Sequence, residues 1–210
     1  SINPWRVEGQ KTIVFELLQQ RGWDPPDWIA VPAGNLGNTS AFGKALREAR
    51  ELGLIRRLPR LAAIQAAGAN PFLRGFRAGF RRRYSVKAET VATAIRIGDP
   101  ASWERAVAAI RETRGVVEAV SDREILAAKA IVDAAGLGCE PASAAAVAGV
   151  RKLRRHGAIG AGESVVAVLT GHLLKDPESV IAFHEGGARG ANPPVEIEAS
   201  LAAVERVLRR

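Results

Sequence analysis

Apolar and polar positions along the 210 residues fall into alternating blocks of two kinds. Helical spacing, with apolar residues three and four apart, runs from Ile13 to Gln20, Thr39 to Leu54, Ala101 to Thr113, Ser121 to Ala135 and Ala142 to His156. Between them lie short apolar runs at Trp28 to Val31, Leu61 to Ala66, Gly115 to Val120 and Ser164 to Leu169, which predict strands. The last of these, through Val165-Val-Ala-Val-Leu169, reads as buried. This alternation predicts an α/β fold with an open, mostly parallel sheet and flanking helices. Ser121-x-x-Glu124 has the form of a capping box, and Asp99-Pro100 and Glu140-Pro141 place proline where a first helical turn tolerates it. Gly68 to Lys87 reads as a loop. Its Phe72, Phe76 and Phe80, four apart among arginines, suit either an amphipathic helix over a site or a subunit contact.

In open parallel sheets ligands sit beyond the carboxyl ends of strands, and three loops follow such ends: Gly34 to Asn38, Gly68 to Lys87, and Thr170-Gly-His172. The first is the most informative. Val31-Pro-Ala-Gly-Asn-Leu-Gly-Asn-Thr-Ser40 joins a strand to a helix. Glycines at 34 and 37 are expected to supply positive φ and close approach to a ligand, and the free amides of the helix start favour an anion. Asn35 and Asn38 add side-chain donors. The spacing fits neither the dinucleotide fingerprint nor the P-loop, and Gly and Asn serve ordinary turns and caps as well as phosphate cradles. Thr170 offers a neutral hydroxyl at the end of the last strand. It suits either a hydrogen bond to a heterocyclic nitrogen or the cap of the next turn.

Composition narrows the class. The chain is 47% hydrophobic, enough for a real core in one or at most two domains. No apolar run approaches the ~18 residues of a membrane span, and Ser1-Ile-Asn-Pro-Trp-Arg6 is no signal peptide. One cysteine, Cys139, excludes an internal disulfide, fits a reducing compartment, and reads as a small buried apolar residue. His156, His172 and His184 lack ligand spacing, which argues against zinc. The net charge of +8, with clusters at 56–60, 81–83 and 151–155, raises nucleic-acid binding as a rival. The clusters lie far apart, acids are interspersed, and aromatics at 5% do not interleave with them. The expectation is therefore no nucleic-acid partner and solvated helix faces. There is no methionine and the chain opens abruptly, so it is expected to be part of a longer polypeptide extending before Ser1.

Five blocks in order carry a family resemblance: Ser1-Ile-Asn-Pro-Trp-Arg-x-Glu-Gly-Gln-Lys11, Val31-Pro-Ala-Gly-Asn-Leu-Gly-Asn38, Ala92-Thr-Ala-Ile-Arg-Ile-Gly98, Cys139-Glu-Pro-Ala-Ser-Ala144 and Leu169-Thr-Gly-His-x-Leu-Lys-Asp176. Together they resemble the later half of the threonine synthases, pyridoxal-phosphate enzymes of fold type II. The resemblance is strong to about Asp176 and looser beyond. It implies a cofactor-binding α/β domain at 1–176, followed by a tail at 177–210 with a terminal helix near Glu196 to Leu208. It also implies conversion of O-phosphohomoserine and water to threonine and phosphate, by loss of phosphate from the γ carbon and addition of water at the β carbon. Gly34, Asn35, Leu36, Gly37 and Asn38 would hold the cofactor phosphate, and Thr170 would face the pyridine nitrogen. Ser1 and Arg6, helped by Asn38, would bind the substrate phosphate.

Glu140, Ser143, Lys11 and Arg96 are weaker candidates. Structural roles suit them better, Ser143 in a first helical turn and Arg96 paired with Asp99. The family's Schiff-base lysine is not among Lys11, Lys44, Lys87, Lys129, Lys152 and Lys175 and is expected upstream of Ser1, so no catalytic residue is assigned to this chain. A cytoplasmic homodimer is implied. Another fold type II enzyme, such as a serine/threonine dehydratase or a cysteine synthase, and a non-catalytic remnant are the alternatives.

Overall fold

A computed structural model describes residues 3–188 and 190–209. Four strands, β1 (Trp28–Pro32), β2 (Arg60–Ala66), β3 (Val116–Val120) and β4 (Val165–Ala167), form one parallel sheet in the order β3-β2-β1-β4. The helices are α1 (Pro4–Gln20), α2 (Gly37–Glu51), α3 (Pro71–Arg77), α4 (Trp103–Glu112), α5 (Asp122–Ala134), α6 (Pro141–Arg155), α7 (Pro177–Glu185) and α8 (Leu201–Leu208).

Strand β1 explains the layering. All five of its residues are buried, and its alternate side chains enter two separate cores. Ile29 and Val31 join Leu61, Ala63, Val117 and Ala119 beneath residues of α1, α2, α3 and α4. Trp28 and Ala30 join Ala62, Ile64 and Val120 beneath α5 and α6. A strand covered on both faces has no polar side, which is why its sequence is continuously apolar. The capping box at Ser121 and Glu124 is present, and Pro141 opens α6 after Glu140.

Several elements depart from the sequence expectation. Helix α1 starts at Pro4, nine residues before Ile13, because Asn3 caps it through a 2.9 Å hydrogen bond from the Trp5 amide. Its first turn is exposed except for Val7 and shows no apolar stripe. Helix α4 begins at Trp103, after Ser102, rather than at Ala101, and Pro100 lies before its first turn. Strand β4 is three residues long and half-buried rather than buried, since it is the sheet edge and pairs only with β1. In the segment 68–87, residues Pro71–Arg77 are helical and the phenylalanines turn inward. The rings of Phe72 and Phe80 lie 5.0 Å apart, and Phe72 meets Trp103 edge-on at 5.2 Å. Helix α7 buries no residue, and α8 begins at Leu201 rather than Glu196.

The edge strand is tied in by one carboxylate. Asp27 Oδ2 accepts from both the amide and the hydroxyl of Ser164 at 2.8 Å, and Arg57 lies 3.0 Å from Oδ1. The Ser164 amide, then its hydroxyl, then Arg57 hold the Asp27 pKa below the usual carboxylate value. A depressed carboxylate contributes stability above its unfolded pKa of about 4, which is lost as pH falls through the folded value. Asp27→Asn should therefore lower the urea midpoint at pH 6, with a gap from the parent that closes as pH falls below about 4. A gap independent of pH would show that the Asp27 charge does not hold β4.

Candidate functional site

The cradle sits where β1 ends. Ala33 to Leu36 turn the chain, and α2 then starts at Gly37 with no side-chain cap. The first amides of an α-helix have no intrahelical acceptor, so those of Gly37, Asn38 and Thr39 face the turn with the positive end of the helix dipole behind them. The left-handed residue of this turn is Leu36, at φ 64°, and neither Gly34 nor Gly37 has positive φ. The expectation that the glycines supply it is corrected: the buried Leu36 side chain pins the strained backbone from within the core. Gly34 is needed for space, because a Cβ there would stand 2.8 Å from the Ile95 Cα and 3.0 Å from the Ala94 carbonyl oxygen.

Neighbouring segments hold the turn. Asn35 Oδ1 accepts from the Ala101 amide at 2.7 Å and its backbone carbonyl from the Ser102 amide at 3.2 Å, so part of this side chain is structural rather than a free donor. Buried Gln65 donates to the Ala33 carbonyl at 3.1 Å and accepts from the Leu73 amide at 3.0 Å. Asn38 is half-buried, and the Thr39 hydroxyl is buried with no hydrogen-bond partner among the described residues.

A cleft of about 160 Å³ opens above this turn, lined by Gly34 to Asn38 on one side and by Ala94, Ile95, Glu140, Ala142 and Thr170 on the other. Gln10 of α1 also lines it, and its Oε1 is buried without a hydrogen-bond partner among the described residues. Sequence reading passed over Gln10. Its signal lay in the helical spacing from Arg6, four residues earlier, once α1 is known to begin at Pro4. Arg6 is exposed on that helix, one turn from the cleft. Ser1 lies outside the described residues.

The weaker candidates separate. Lys11 pairs with Glu8 and Glu48 at 2.6 Å each. Burial opposes its charge, but the hydrogen bonds to Glu48 and Glu8 prevail and raise its pKa, so it is a structural cation between α1 and α2. Arg96 does not line the cleft, and its expected partner Asp99 is held instead by Arg83 at 2.6 Å. Glu140 lines the cleft, and Ser143 contacts Thr170, which lines it too. Ser143 Oγ is within hydrogen-bonding distance of the Thr170 amide (3.0 Å), the Gly171 amide (2.8 Å) and Thr170 Oγ1 (3.1 Å). Buried Glu140 donates its amide to the Gly171 carbonyl at 3.0 Å and pairs with Lys175 at 3.0 Å. Thr170 does not cap the next turn, which His172 does.

A larger cleft of about 530 Å³ between α1, α2 and α4 is lined by charges of both signs, Glu8, Lys44, Arg47, Glu104 and Arg105, and includes no cradle residue. Cys139 is buried and its thiol is pushed up to about 11, chiefly by burial, so it stays neutral. No cluster of three metal-ligating side chains occurs among the described residues. Members of the basic clusters pair with acids: Arg57 with Asp27, Arg83 with Asp99, Lys152 with Glu118 and Arg155 with Glu124.

The chain is 44% identical over 216 aligned residues to "Threonine synthase 2, chloroplastic" of Arabidopsis thaliana, covering 100% of this chain and 42% of that protein. It is 46% identical to the threonine synthase of Methanosarcina acetivorans, covering 99% of this chain and 50% of the relative. It thus spans about half the length of these relatives. Among solved structures, threonine synthase from Escherichia coli superposes with a TM-score of 0.66 at 23% identity, over 97% of this chain and 48% of that one. A fungal L-serine ammonia-lyase from Rhizomucor miehei gives 0.68 at 24% identity, over 82% and 55%. At such identity these two superpositions establish the shared fold alone. Residues 1–171 match the family described as "Pyridoxal-phosphate dependent enzyme". Since that match spans most of the 210 residues, the chain belongs to the family of pyridoxal-phosphate dependent enzymes.

Proposed function

We propose that the chain is the phosphate-holding part of a threonine synthase, binding pyridoxal phosphate and O-phosphohomoserine. The observation that carries this reading is the cleft at the end of β1, where an uncapped helix start, Gln10 and Thr170 converge in a chain 44–46% identical to threonine synthases. The cleft fits the cofactor. The bare amides of α2 match a phosphate, and a neutral hydroxyl at Thr170 matches a ring nitrogen. Bound there, pyridoxal phosphate supplies an electron sink for a carbanion.

The residues divide the work. Gly34, Asn35, Leu36, Gly37 and Asn38 hold the cofactor phosphate, chiefly through backbone amides. Thr170 orients the ring without placing a charge beside its nitrogen. Arg6 presents a planar guanidinium from the exposed end of α1 and takes the substrate phosphate, with Asn38 and Ser1. Its contribution grows as negative charge develops on the leaving oxygen. Residues 1–176 serve as the cofactor-binding unit and 177–210 as a tail. The proposal extends to a cytoplasmic homodimer without a nucleic-acid partner. No helix among the described residues is long and apolar enough to cross a membrane.

Arg6→Ala tests the substrate half of the reading. Turnover of O-phosphohomoserine by the holoenzyme should fall at least ~10-fold, about 1.4 kcal/mol. Unchanged turnover would take Arg6 out of the site.

A further inference from the structure

Ser143 and Thr170 are 27 positions apart, and the bond between their hydroxyls can be drawn in either direction. The surrounding donors decide it. A serine hydroxyl has one hydrogen and two acceptor lone pairs. Ser143 Oγ, buried in the first turn of α6, receives the Thr170 amide at 3.0 Å and the Gly171 amide at 2.8 Å. Both lone pairs are used. The remaining hydrogen finds Thr170 Oγ1 at 3.1 Å, so Ser143 is the donor and Thr170 the acceptor. The reverse arrangement would ask Ser143 Oγ to accept three donors and would strand its own buried hydrogen.

We propose that Ser143 is a positioning residue that fixes the direction of the Thr170 hydroxyl, so that Thr170 donates its hydrogen into the cleft toward the ring nitrogen of pyridoxal phosphate. The inference rests on the reading that Thr170 faces that ring. Thr170 lines the cleft, and with one lone pair taken by Ser143 it keeps its own hydrogen available to donate to what occupies the cleft. A ring nitrogen that must accept this hydrogen keeps its lone pair and stays unprotonated. Glu140 makes the clamp rigid. Its amide holds the Gly171 carbonyl at 3.0 Å, and its carboxylate fills the space where a Gly171 Cβ would stand, 2.2 Å from Cδ. Lys175 pairs with that carboxylate at 3.0 Å.

The test uses the holoprotein loaded with pyridoxal phosphate labelled with nitrogen-15 in the ring, with the ring-nitrogen chemical shift as readout. The parent signal should be that of an unprotonated, hydrogen-bonded pyridine. In Ser143→Ala the shift should move toward the unbonded pyridine, and Ser143→Thr, which keeps the hydroxyl, should restore it. Amide exchange at Thr170 and Gly171 should quicken by at least ~10-fold in Ser143→Ala, because both lose their acceptor. Faster exchange with an unmoved ring signal would mean that Ser143 only braces the loop, which overturns the proposal. Should Ser143→Ala fail to retain cofactor, Ser143→Val has the shape of the Ser143→Thr variant without its hydroxyl; a parent-like ring signal there overturns the proposal equally. Thr170→Ala separates the two levels. If it moves the signal and the Ser143 variants do not, only the positioning role falls; if it leaves the signal unchanged, Thr170 does not face the ring and the cofactor reading falls with it.

Discussion

Phe72→Ala should cost about 3–5 kcal/mol of folding free energy, the range for removing a fully buried aromatic side chain. Phe72 is 0% exposed and sits between Phe80, tilted at 5.0 Å, and Trp103, edge-on at 5.2 Å. Area burial and the geometry of the ring pairs both contribute. Domains are stable by only about 5–15 kcal/mol, so the loss is a large share of the total. It should also reach the site. Trp103 opens α4 immediately after Ser102, whose amide is bound by the Asn35 carbonyl in the cradle. Slack in the aromatic cluster is therefore transmitted to the turn that starts α2. Urea unfolding measures it: the midpoint should drop sharply with an unchanged slope. A change below about 1 kcal/mol would mean that these rings are not the keystone of this core. Phe76→Ala, at a partly buried position on the same short helix, should cost less.

That cluster also shows where sequence reading stops. Three phenylalanines four apart announce one apolar helix face, but nothing local says whether it meets solvent, a partner or the chain's own core. Trp103, about thirty positions on, decides it. Strands β1 and β2 were legible because burial on both faces leaves β1 an uninterrupted apolar run and β2 one broken inside only by Gln65. The start of α1 was not, since its first turn buries only Val7 and depends on Asn3 for its cap. Helix α7 buries nothing and so had no periodic signal to give.

The candidate site divides in the same way. The end of the strand, the turn and the start of the uncapped helix lie within ten consecutive residues, and their order was readable from Val31 to Ser40. The conformations inside the turn were not. Glycine is the usual residue at positive φ, yet Leu36 takes that role because its side chain is anchored in the core. The Ser143 clamp was invisible for a different reason. A helix N-terminus in sequence shows its own caps, not a distant loop whose two amides arrive at one hydroxyl.

Gly34→Ala should weaken binding of pyridoxal phosphate about 10- to 100-fold, on a strain of about 1–3 kcal/mol. The added methyl would meet backbone, the Ile95 Cα at 2.8 Å and the Ala94 carbonyl oxygen at 3.0 Å, and backbone cannot rotate away as a side chain can. Two responses are open, and both damage the cleft. If the 93–95 turn retreats, Ala94 and Ile95 no longer close one wall. If residue 34 moves instead, it carries the Asn35 bonds to Ala101 and Ser102 with it and tilts the amides at the start of α2. Strain of this kind should fall on the phosphate more than on the ring. Pyridoxal, which lacks the phosphate, is therefore the control, and its binding should change much less. Equal losses for the two ligands would show that the 34–38 turn does not hold the phosphate, and unchanged affinity for both would remove it from the site.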